Sequence, residues 1–215
     1  MKVREPSQAP LFAAPTPHLP EGTVYQPAFL SPEEESHLIH VAAGLPLKEM
    51  NYRGYTARRR VASYGGQYDF QARRLEPTAQ LPAALEPLRA KVAGWLGVAP
   101  ELLVQTLVAE YHEGTPLGWH RDVPDFEDVV GVSLLSEAVM RFRPYPPRQP
   151  KKADILRLVV EPRSIYLLSG PARWRWQHSV APTQALRYSI TFRTSRERAG
   201  APLPPALGDE GDPAP

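Results

Sequence analysis

Three residues of the types that bind transition metals stand out in this sequence. His120 and Asp122 form a His-x-Asp pair, and His178 follows much further along the chain. Two imidazoles and one carboxylate make up the facial triad, which holds Fe(II) and leaves coordination positions open for O2 and an organic cosubstrate. Manganese or zinc would also suit such a site, and either histidine taken alone would more often be a hydrogen-bonded core residue. Together, the three residues predict a metal centre.

Polar and apolar residues alternate from Arg187 to Arg193. This is the pattern of a strand with one buried face, and it puts Arg187, Ser189 and Arg193 on the same side. One interpretation is an edge strand whose arginines lie in water. The other turns both arginines inward. They start roughly 20 Å apart at about 3.3 Å per residue, so their long side chains could hold a small dianion between them.

These features together resemble the AlkB-type 2-oxoglutarate- and Fe(II)-dependent dioxygenases. The His-x-Asp pair, the distant histidine and the closing Arg-x5-Arg occur in the order that this family shows. Two further matches are the segments Tyr111-His112-Glu113-Gly114 and Ser169-Gly170-Pro171-Ala172-Arg173. The resemblance extends over about residues 21 to 194.

The resemblance implies that the metal is iron and that the dianion is 2-oxoglutarate. Arg187 would then pair with the distal carboxylate of 2-oxoglutarate, and Tyr111 would donate a hydroxyl hydrogen bond to the same group. Arg193 would serve the carboxylate near the metal, with Ser189 beside it. The family often has an asparagine where this chain has Ala109. One hydrogen bond to the cosubstrate, worth about 1 kcal/mol, is therefore expected to be missing or supplied elsewhere.

Substrate-binding residues are expected in a segment that resembles the nucleotide-recognition lid of these dioxygenases. Arg59 and Arg60 lie in it and would contact phosphates. Tyr64 or Tyr68 would stack on a flipped base. The alternative for these tyrosines is core packing in a β-hairpin.

Two residues near the His-x-Asp pair are further candidates for substrate binding. Trp119 would form a wall of the pocket or simply pack against its neighbours. The base-repair members of the family usually carry an acid two residues after the ligating aspartate, but this chain has Pro124 there and its nearest acid is Asp125. This departure leaves a related substrate open.

The resemblance implies an enzyme in which O2 oxidises 2-oxoglutarate to succinate and CO2 while a substrate is hydroxylated. The first hypothesis is oxidative demethylation of an alkylated DNA or RNA base, from which the hydroxylated methyl group leaves as formaldehyde. The alternative is the same chemistry on a protein, a tRNA or a small molecule. The third is a barrel that only binds nucleic acid, against which the complete ligand set and both arginines count.

Two helices are predicted before the strand-rich half of the chain. Ser31 is the expected N-cap of the first helix, with Pro32 at its first position and Glu34 closing a capping box. We expect this helix to end near Ala43. The second helix is expected over 83–96, with apolar residues at helical spacing and Gly97 as its C-cap.

Short strands are predicted over most of the remaining chain, and turn residues separate them. They are expected near 61–64, 103–111, 129–135, 139–142, 155–160, 164–168 and 187–192. Many short strands in one region favour a sandwich or barrel. With the resemblance, this predicts an α+β fold, a double-stranded β-helix (jelly roll) with the two N-terminal helices packed on one face.

Composition limits the remaining possibilities. The chain has 215 residues and no cysteine, which excludes disulfides and iron–sulfur clusters. We expect a dioxygenase domain at 21–196 between disordered tails at 1–20 and 197–215. The net charge is only +2, yet clustered arginines favour nucleic acid with a methylated base as the partner, unless they form a solvated surface. With no membrane span or signal peptide predicted, we expect a cytoplasmic monomer.

Overall fold

The computed structural model describes residues 18–52, 55–69, 74–76, 78–147 and 154–196. Side chains at 50–57, 67–69 and 74–76 are not described. The tails predicted at 1–20 and 197–215 lie outside these ranges, apart from residues 18–20.

The first predicted helix, α1, spans Pro32–Ala43. Its N-cap is the predicted capping box. The Oγ of Ser31 accepts a hydrogen bond from the Glu34 backbone N–H at 3.1 Å, and the Ser31 N–H donates to Glu34 Oε2 at 2.7 Å. Two of the N–H groups that a helix start leaves without intrahelical partners are thereby satisfied.

The second helix, α2, spans Glu86–Leu96 and follows a turn of 3₁₀ helix at Ala83–Leu85. Gly97 ends it in the left-handed conformation, with φ 74°, as a C-cap glycine does. A short third helix, α3 (Gly170–Trp174), was not predicted. Among the described helices, none is both long and apolar enough to cross a membrane.

The described strands, in chain order, are β1 (Thr23–Gln26), β2 (Lys48–Tyr52), β3 (Tyr55–Tyr64), β4 (Gln67–Asp69), β5 (Arg74–Glu76), β6 (Leu103–Tyr111), β7 (Leu117–His120), β8 (Phe126–Leu134), β9 (Ala138–Pro144), β10 (Leu156–Val160), β11 (Ile165–Leu168), β12 (Trp176–Val180) and β13 (Arg187–Ser195). All seven predicted strands are present. The strands not predicted are β1, β2, β4, β5, β7 and β12, and two of these carry the candidate ligands His120 and His178.

The strands form a larger and a smaller antiparallel sheet. The larger has the order β1-β11-β8-β13-β6-β3-β2, the smaller has the order β10-β9-β12-β7, and β4 pairs with β5 as a hairpin. The predicted double-stranded β-helix is confirmed. β13 lies between β6 and β8, so the interpretation of this segment as an edge strand is wrong.

The two faces of β13 contact different parts of the molecule. Its apolar residues belong to a hydrophobic cluster that includes residues of both long helices: Leu38 and Ala42 from α1, Leu88 and Val92 from α2, and Tyr188, Ile190 and Phe192 from β13. Its polar residues face the space between the two sheets. One part of that space is filled by a second cluster, which contains Phe142 and Tyr166. Another part holds the candidate site.

Candidate active site

The two candidate histidine ligands face each other across neighbouring strands. His120 ends β7 and His178 lies in β12, where the two are paired in register, and their ring centroids are 4.2 Å apart. Asp122 lies two residues beyond β7. One ligand atom from each of the three residues lies within 4.8 Å of the others. The structure thus brings the His-x-Asp pair together with a histidine that is distant in the sequence.

Asp122 has one carboxylate oxygen engaged by the protein and one without a hydrogen-bond partner. Arg193 donates to Oδ1 from Nε at 2.8 Å and from Nη2 at 2.6 Å. Oδ2 is buried, accepts no hydrogen bond, and lies 3.5 Å from His178 Nε2. A buried carboxylate oxygen without a partner is costly unless a cation is bound to it. This atom fits a metal ligand.

The protonation of the three residues also suits metal binding. Burial lowers the pKa of His120 and brings that of His178 to about 3, so both imidazoles are neutral near pH 7. Burial would raise the pKa of Asp122, but the positive charge of Arg193 holds it well below its ordinary value. His120 donates from Nδ1 to the Gly118 carbonyl at 2.9 Å. Its Nε2 is therefore left as the ligand atom.

Arg187 is a buried cation with no carboxylate partner among the described residues. It is 2% exposed. Its Nε donates to Ser133 Oγ at 3.0 Å, and its guanidinium carbon lies 5.3 Å from the centre of the Tyr111 ring. A guanidinium has five N–H donors. A buried charge of this kind requires a counter-ion, so the place beside Arg187 suits the carboxylate of a ligand.

Arg193 lies closer to the metal site than expected, because it binds a candidate ligand directly. Besides its two bonds to Asp122, it donates from Nη1 to Gln105 Oε1 at 2.6 Å. Gln105 in turn donates to Ser63 Oγ at 2.9 Å. Three of the five N–H groups of Arg193 are thus engaged, and two are left for an incoming carboxylate.

The surroundings of Ala109, which stands where the family often has an asparagine, are apolar. Ala109 packs with Val61 and Tyr111 in a small buried cluster, so it offers no hydrogen bond to a ligand. A polar group nearby comes from Tyr166, which was not predicted as a site residue. Tyr166 is buried with a pKa raised to about 12 by burial, and the charge of Arg187 is the next largest influence on that pKa.

Gly131 makes the position of the Tyr166 ring possible. The two residues are paired across β8 and β11. A Cβ built on Gly131 would overlap the Tyr166 ring and its hydroxyl. A glycine inside a strand indicates close approach by another group, and this signal was available in the sequence.

Arg173 anchors the loop that carries Asp122. It is 3% exposed, and its Nη2 donates to the carbonyl oxygens of Val123 and Phe126 at 2.7 and 3.0 Å. Its guanidinium also lies over the Trp174 ring at 4.3 Å. In the sequence, Arg173 stands out only as part of a family motif, because its partners are backbone groups that no sequence pattern shows.

The predicted substrate residues on β3 lie on both faces of the strand. Arg59 faces the site, with Nη1 3.5 Å from Tyr111 Oη. Arg60 faces the opposite side and pairs with Glu110 at 2.7 Å. Tyr64 belongs to the core between the helices and the larger sheet. For Tyr64 the core-packing alternative is therefore correct, and Arg60 does not line the site.

The remaining substrate candidates have different outcomes. Trp119 does not form a wall of the pocket, because it follows the strand alternation and points away from the side of the sheet that carries His120. Asp125 lies in the turn between Asp122 and β8. The side chain of Tyr68 is outside the described residues.

Comparison with known proteins agrees with this geometry. The model of the 2OG-Fe(II) oxygenase superfamily matches residues 22–193. The chain is 26% identical over 175 residues to the tRNA (carboxymethyluridine(34)-5-O)-methyltransferase alkbh8 of Xenopus tropicalis, covering 78% of this chain and 26% of that protein. It is 30% identical over 145 residues to the Alkylated DNA repair protein ALKBH8 homolog of Arabidopsis thaliana, covering 58% of this chain and 42% of that protein.

Two further similarities complete the comparison. An uncharacterized protein, L905, of Acanthamoeba polyphaga mimivirus is 32% identical over 102 residues, covering 41% of this chain and 47% of that protein. Against each of these three relatives, the aligned region spans less than half of the relative's length. The solved structure of OsALKBH1 shares the fold, with a TM-score of 0.59 at 16% identity, over 80% of this chain and 98% of that one.

The fold and the three candidate metal ligands are those expected of a 2OG-Fe(II) oxygenase, and the chain belongs to the 2OG-Fe(II) oxygenase superfamily. Within that superfamily the chain is similar to two ALKBH8 proteins in sequence and to OsALKBH1 in fold.

Proposed function

We propose that this protein demethylates alkylated nucleic-acid bases by oxidation. The observation that carries the proposal is the buried Arg187, which has no carboxylate partner in the described part of the chain. It lies in the same inter-sheet space as three candidate metal-ligand atoms that are within 4.8 Å of one another. Such a site can hold a dianionic cosubstrate next to a metal. The nucleic-acid substrate is supported by the relatives, which are named for tRNA modification and for repair of alkylated DNA.

His120, Asp122 and His178 would hold Fe(II). The iron would supply activation of O2, which turns 2-oxoglutarate into succinate and CO2 and hydroxylates the substrate methyl group. The hydroxylated N-methyl group then leaves as formaldehyde. The protein would contribute by keeping the metal ligands, the cosubstrate and the target carbon in fixed positions.

Arg187 would bind the distal carboxylate of 2-oxoglutarate with its two Nη groups, because its Nε is already bonded to Ser133. Tyr111, beside the guanidinium, would donate to the same carboxylate. Arg193 and Ser189 would serve the carboxylate near the metal. Tyr166 is a candidate for the hydrogen bond that Ala109 does not supply.

Arg59 and Asp125 remain as proposed contacts to the substrate. Arg59 reaches the site from β3 and carries a charge that suits a phosphate near the entrance. Asp125 is fixed by its backbone, whose carbonyl accepts from the Arg196 N–H at 3.0 Å. Its carboxylate would accept a hydrogen bond from the base. In base-repair members of the family, an acid at the position of Pro124 usually does this.

The second candidate is the same chemistry on a tRNA, a protein or a small molecule. Pro124, in place of the acid that base-repair members usually carry, favours this candidate. The relative named as a tRNA methyltransferase makes a modified tRNA nucleoside the first of these substrates to test. The third hypothesis, a barrel that only binds nucleic acid, does not explain why a cation such as Arg187 is buried where a dianionic cosubstrate would bind.

A panel of substrates tests the proposal. The iron-loaded protein is incubated with 2-oxoglutarate and with methylated DNA, RNA, tRNA or peptides, and succinate, formaldehyde and the mass loss of one methyl group are measured. The His178→Ala variant is the control for background oxidation. Demethylation of a base in DNA, or in RNA other than tRNA, supports the proposal. Turnover of 2-oxoglutarate that only tRNA or a peptide stimulates contradicts it and supports the second candidate.

We also propose that the protein is a monomer and that it is located in the cytoplasm. The cysteine-free composition supports this location. Light scattering after size-exclusion chromatography, and cell fractionation, test the two statements separately.

A further inference from the structure

The smaller sheet has an outer face that is rich in arginine and does not take part in the metal site. Strand register defines this face, since paired residues of an antiparallel sheet point to the same side. Arg141 pairs with Ser179 and with Arg157, and Arg143 pairs with Gln177. We call Arg141, Arg143, Arg157 and Trp119 the outer arginine face.

The ligand His178 points to the other side of this sheet. It is paired with Phe142, which lies in the buried cluster between the sheets, and with His120. Alternation along β12 and β9 therefore turns the outer arginine face away from the metal. A ligand on this face would not compete with 2-oxoglutarate for the same space.

Two arginines of this face donate hydrogen bonds to side chains of the neighbouring strand. Arg141 donates from Nε to Ser179 Oγ at 3.0 Å, and Arg143 donates from Nε to Gln177 Oε1 at 2.6 Å. Their guanidinium carbons lie 5.2 and 4.7 Å from the centre of the Trp119 ring. The indole and the two guanidinium groups thus form one layer over the sheet.

Two arginines of this face, Arg141 and Arg157, have no opposite charge bound to them among the described residues. Burial lowers the pKa of Arg141, and the charge of Arg157 lowers it further. Two like charges side by side are unfavourable, and an anion bound between them would relieve the repulsion.

The outer arginine face adjoins the active site through one strand. Trp119 immediately precedes the ligand His120 on β7, and β7 is the last strand in the order of the smaller sheet. A chain that leaves the metal site and passes over this edge arrives at Trp119 and then at the arginines. The two sides of the edge are therefore available to one extended molecule.

We infer that the outer arginine face binds the sugar–phosphate backbone of the nucleic-acid strand on one side of the base held at the metal. This inference rests on the proposed nucleic-acid substrate. Guanidinium groups match phosphates in shape and charge. Arginines at intervals along a sheet suit a regularly charged polymer better than a single small anion.

Oligonucleotide binding tests this inference. Affinities of the protein for a labelled single-stranded trinucleotide and dodecanucleotide are measured over a salt series. The test variant is Arg141→Gln with Arg157→Gln. Removing an arginine that binds a phosphate should reduce the log–log salt slope by about 0.7. We expect the variant to have a smaller slope on the dodecanucleotide and to match wild type on the trinucleotide, which is too short to cross the edge.

Three controls separate this effect from others. Arg141→Lys with Arg157→Lys keeps the charge and should keep most of the slope. Arg89→Gln removes one arginine from α2, where it pairs with Glu86 at 2.7 Å, and should change nothing. Turnover of 2-oxoglutarate without substrate should be the same in all variants, which shows that the fold and the metal site are intact.

The outcomes distinguish the two proposals. If wild type binds the dodecanucleotide and the double Gln variant binds it with the same slope, the outer arginine face does not bind the strand, while the nucleic-acid substrate stands. If wild type binds neither oligonucleotide at any salt concentration, the nucleic-acid substrate is wrong and the inference falls with it. A slope reduced only in the double Gln variant supports both.

Discussion

Arg193 holds Asp122 by one carboxylate oxygen and leaves the other free. Its Nε and Nη2 donate to Oδ1 at 2.8 and 2.6 Å, while Oδ2 accepts no hydrogen bond and lies toward His178. A carboxylate fixed in this way presents its second oxygen to a metal in one orientation. Arg193 therefore positions a metal ligand, in addition to the role that we propose for it in binding 2-oxoglutarate.

Arg193→Lys should weaken metal binding even without 2-oxoglutarate. An ammonium cannot reproduce the two bonds from the guanidinium to Oδ1, and loss of a partner that orients a ligand typically costs about 10–100-fold in metal affinity. Calorimetric titration of the apoprotein with Mn(II) measures this. Arg187→Lys, which alters an arginine that does not contact the ligands, is the control. Unchanged Mn(II) affinity in Arg193→Lys, with only a higher KM for 2-oxoglutarate, would show that Arg193 serves the cosubstrate alone.

Arg187→Ala should raise the KM for 2-oxoglutarate strongly. Hydrogen bonds between charged groups contribute about 1.5–3 kcal/mol, which corresponds to about 10–100-fold in affinity. Arg187→Lys should restore only part of this, because an ammonium cannot donate two parallel bonds to one carboxylate. Steady-state formation of succinate measures both variants.

A shorter 2-oxo acid shows which carboxylate Arg187 binds. Binding of 2-oxobutyrate, which lacks the distal carboxylate, is measured by its competition with 2-oxoglutarate. Arg187→Ala should affect 2-oxobutyrate much less than 2-oxoglutarate, because the interaction that it removes exists only for the longer acid. Equal losses of affinity for both acids would mean that Arg187 binds the shared end of the molecule, or that the variant is misfolded.

The parts of the fold that rest on local chemistry could be predicted from the sequence. The cap of α1 needs only Ser31 and Glu34 three residues apart, and the glycine that ends α2 acts on its own helix. The alternation in β13 showed which side chains share a face. The family resemblance supplied the double-stranded β-helix, whose pairing of distant strands no local pattern contains.

The short strands that carry the ligands could not be predicted in this way. β7 has four residues and includes Gly118, too few for an alternation to be recognised. Without that strand, Trp119 and His120 looked like neighbours in one pocket, whereas strand geometry turns them to opposite sides. The contacts of Arg187 with Ser133 and of Arg193 with Gln105 depend on side chains from neighbouring strands, which a single sequence does not specify.

Gly131→Ala should weaken 2-oxoglutarate binding through Tyr166. The new methyl group would overlap the Tyr166 ring, and overpacking of a core typically costs about 1–3 kcal/mol. The ring would move, and with it the hydroxyl that we propose as a cosubstrate contact. Tyr166→Phe removes that hydroxyl without changing the packing and should raise the KM by about 10-fold or less. A KM unchanged in both variants would exclude Tyr166 from the cosubstrate site.

Glu110 should make stability depend on pH in the acid range. Its carboxylate is only 4% exposed and accepts from Arg60 at 2.7 Å and from Tyr188 at 3.0 Å. Burial would raise the pKa of Glu110, but these bonds hold it below its ordinary value of 4.5. A depressed carboxyl pKa adds stability above that ordinary value, and the contribution is lost as the pH falls through the pKa of the folded state.

Glu110→Gln should therefore lower Tm at neutral pH and have a smaller effect below about pH 4.5. Loss of a charged acceptor from a buried network costs about 1–3 kcal/mol, and each kcal/mol corresponds to about 2–4 °C in a domain of this size. His112 is a further contact of the same carboxylate, with its Nε2 2.8 Å from Glu110 Oε1, and would obscure the comparison. Both proteins should thus also carry His112→Gln. A difference in Tm that stays constant from pH 7 to pH 4 would show that the Glu110 charge does not contribute to folding.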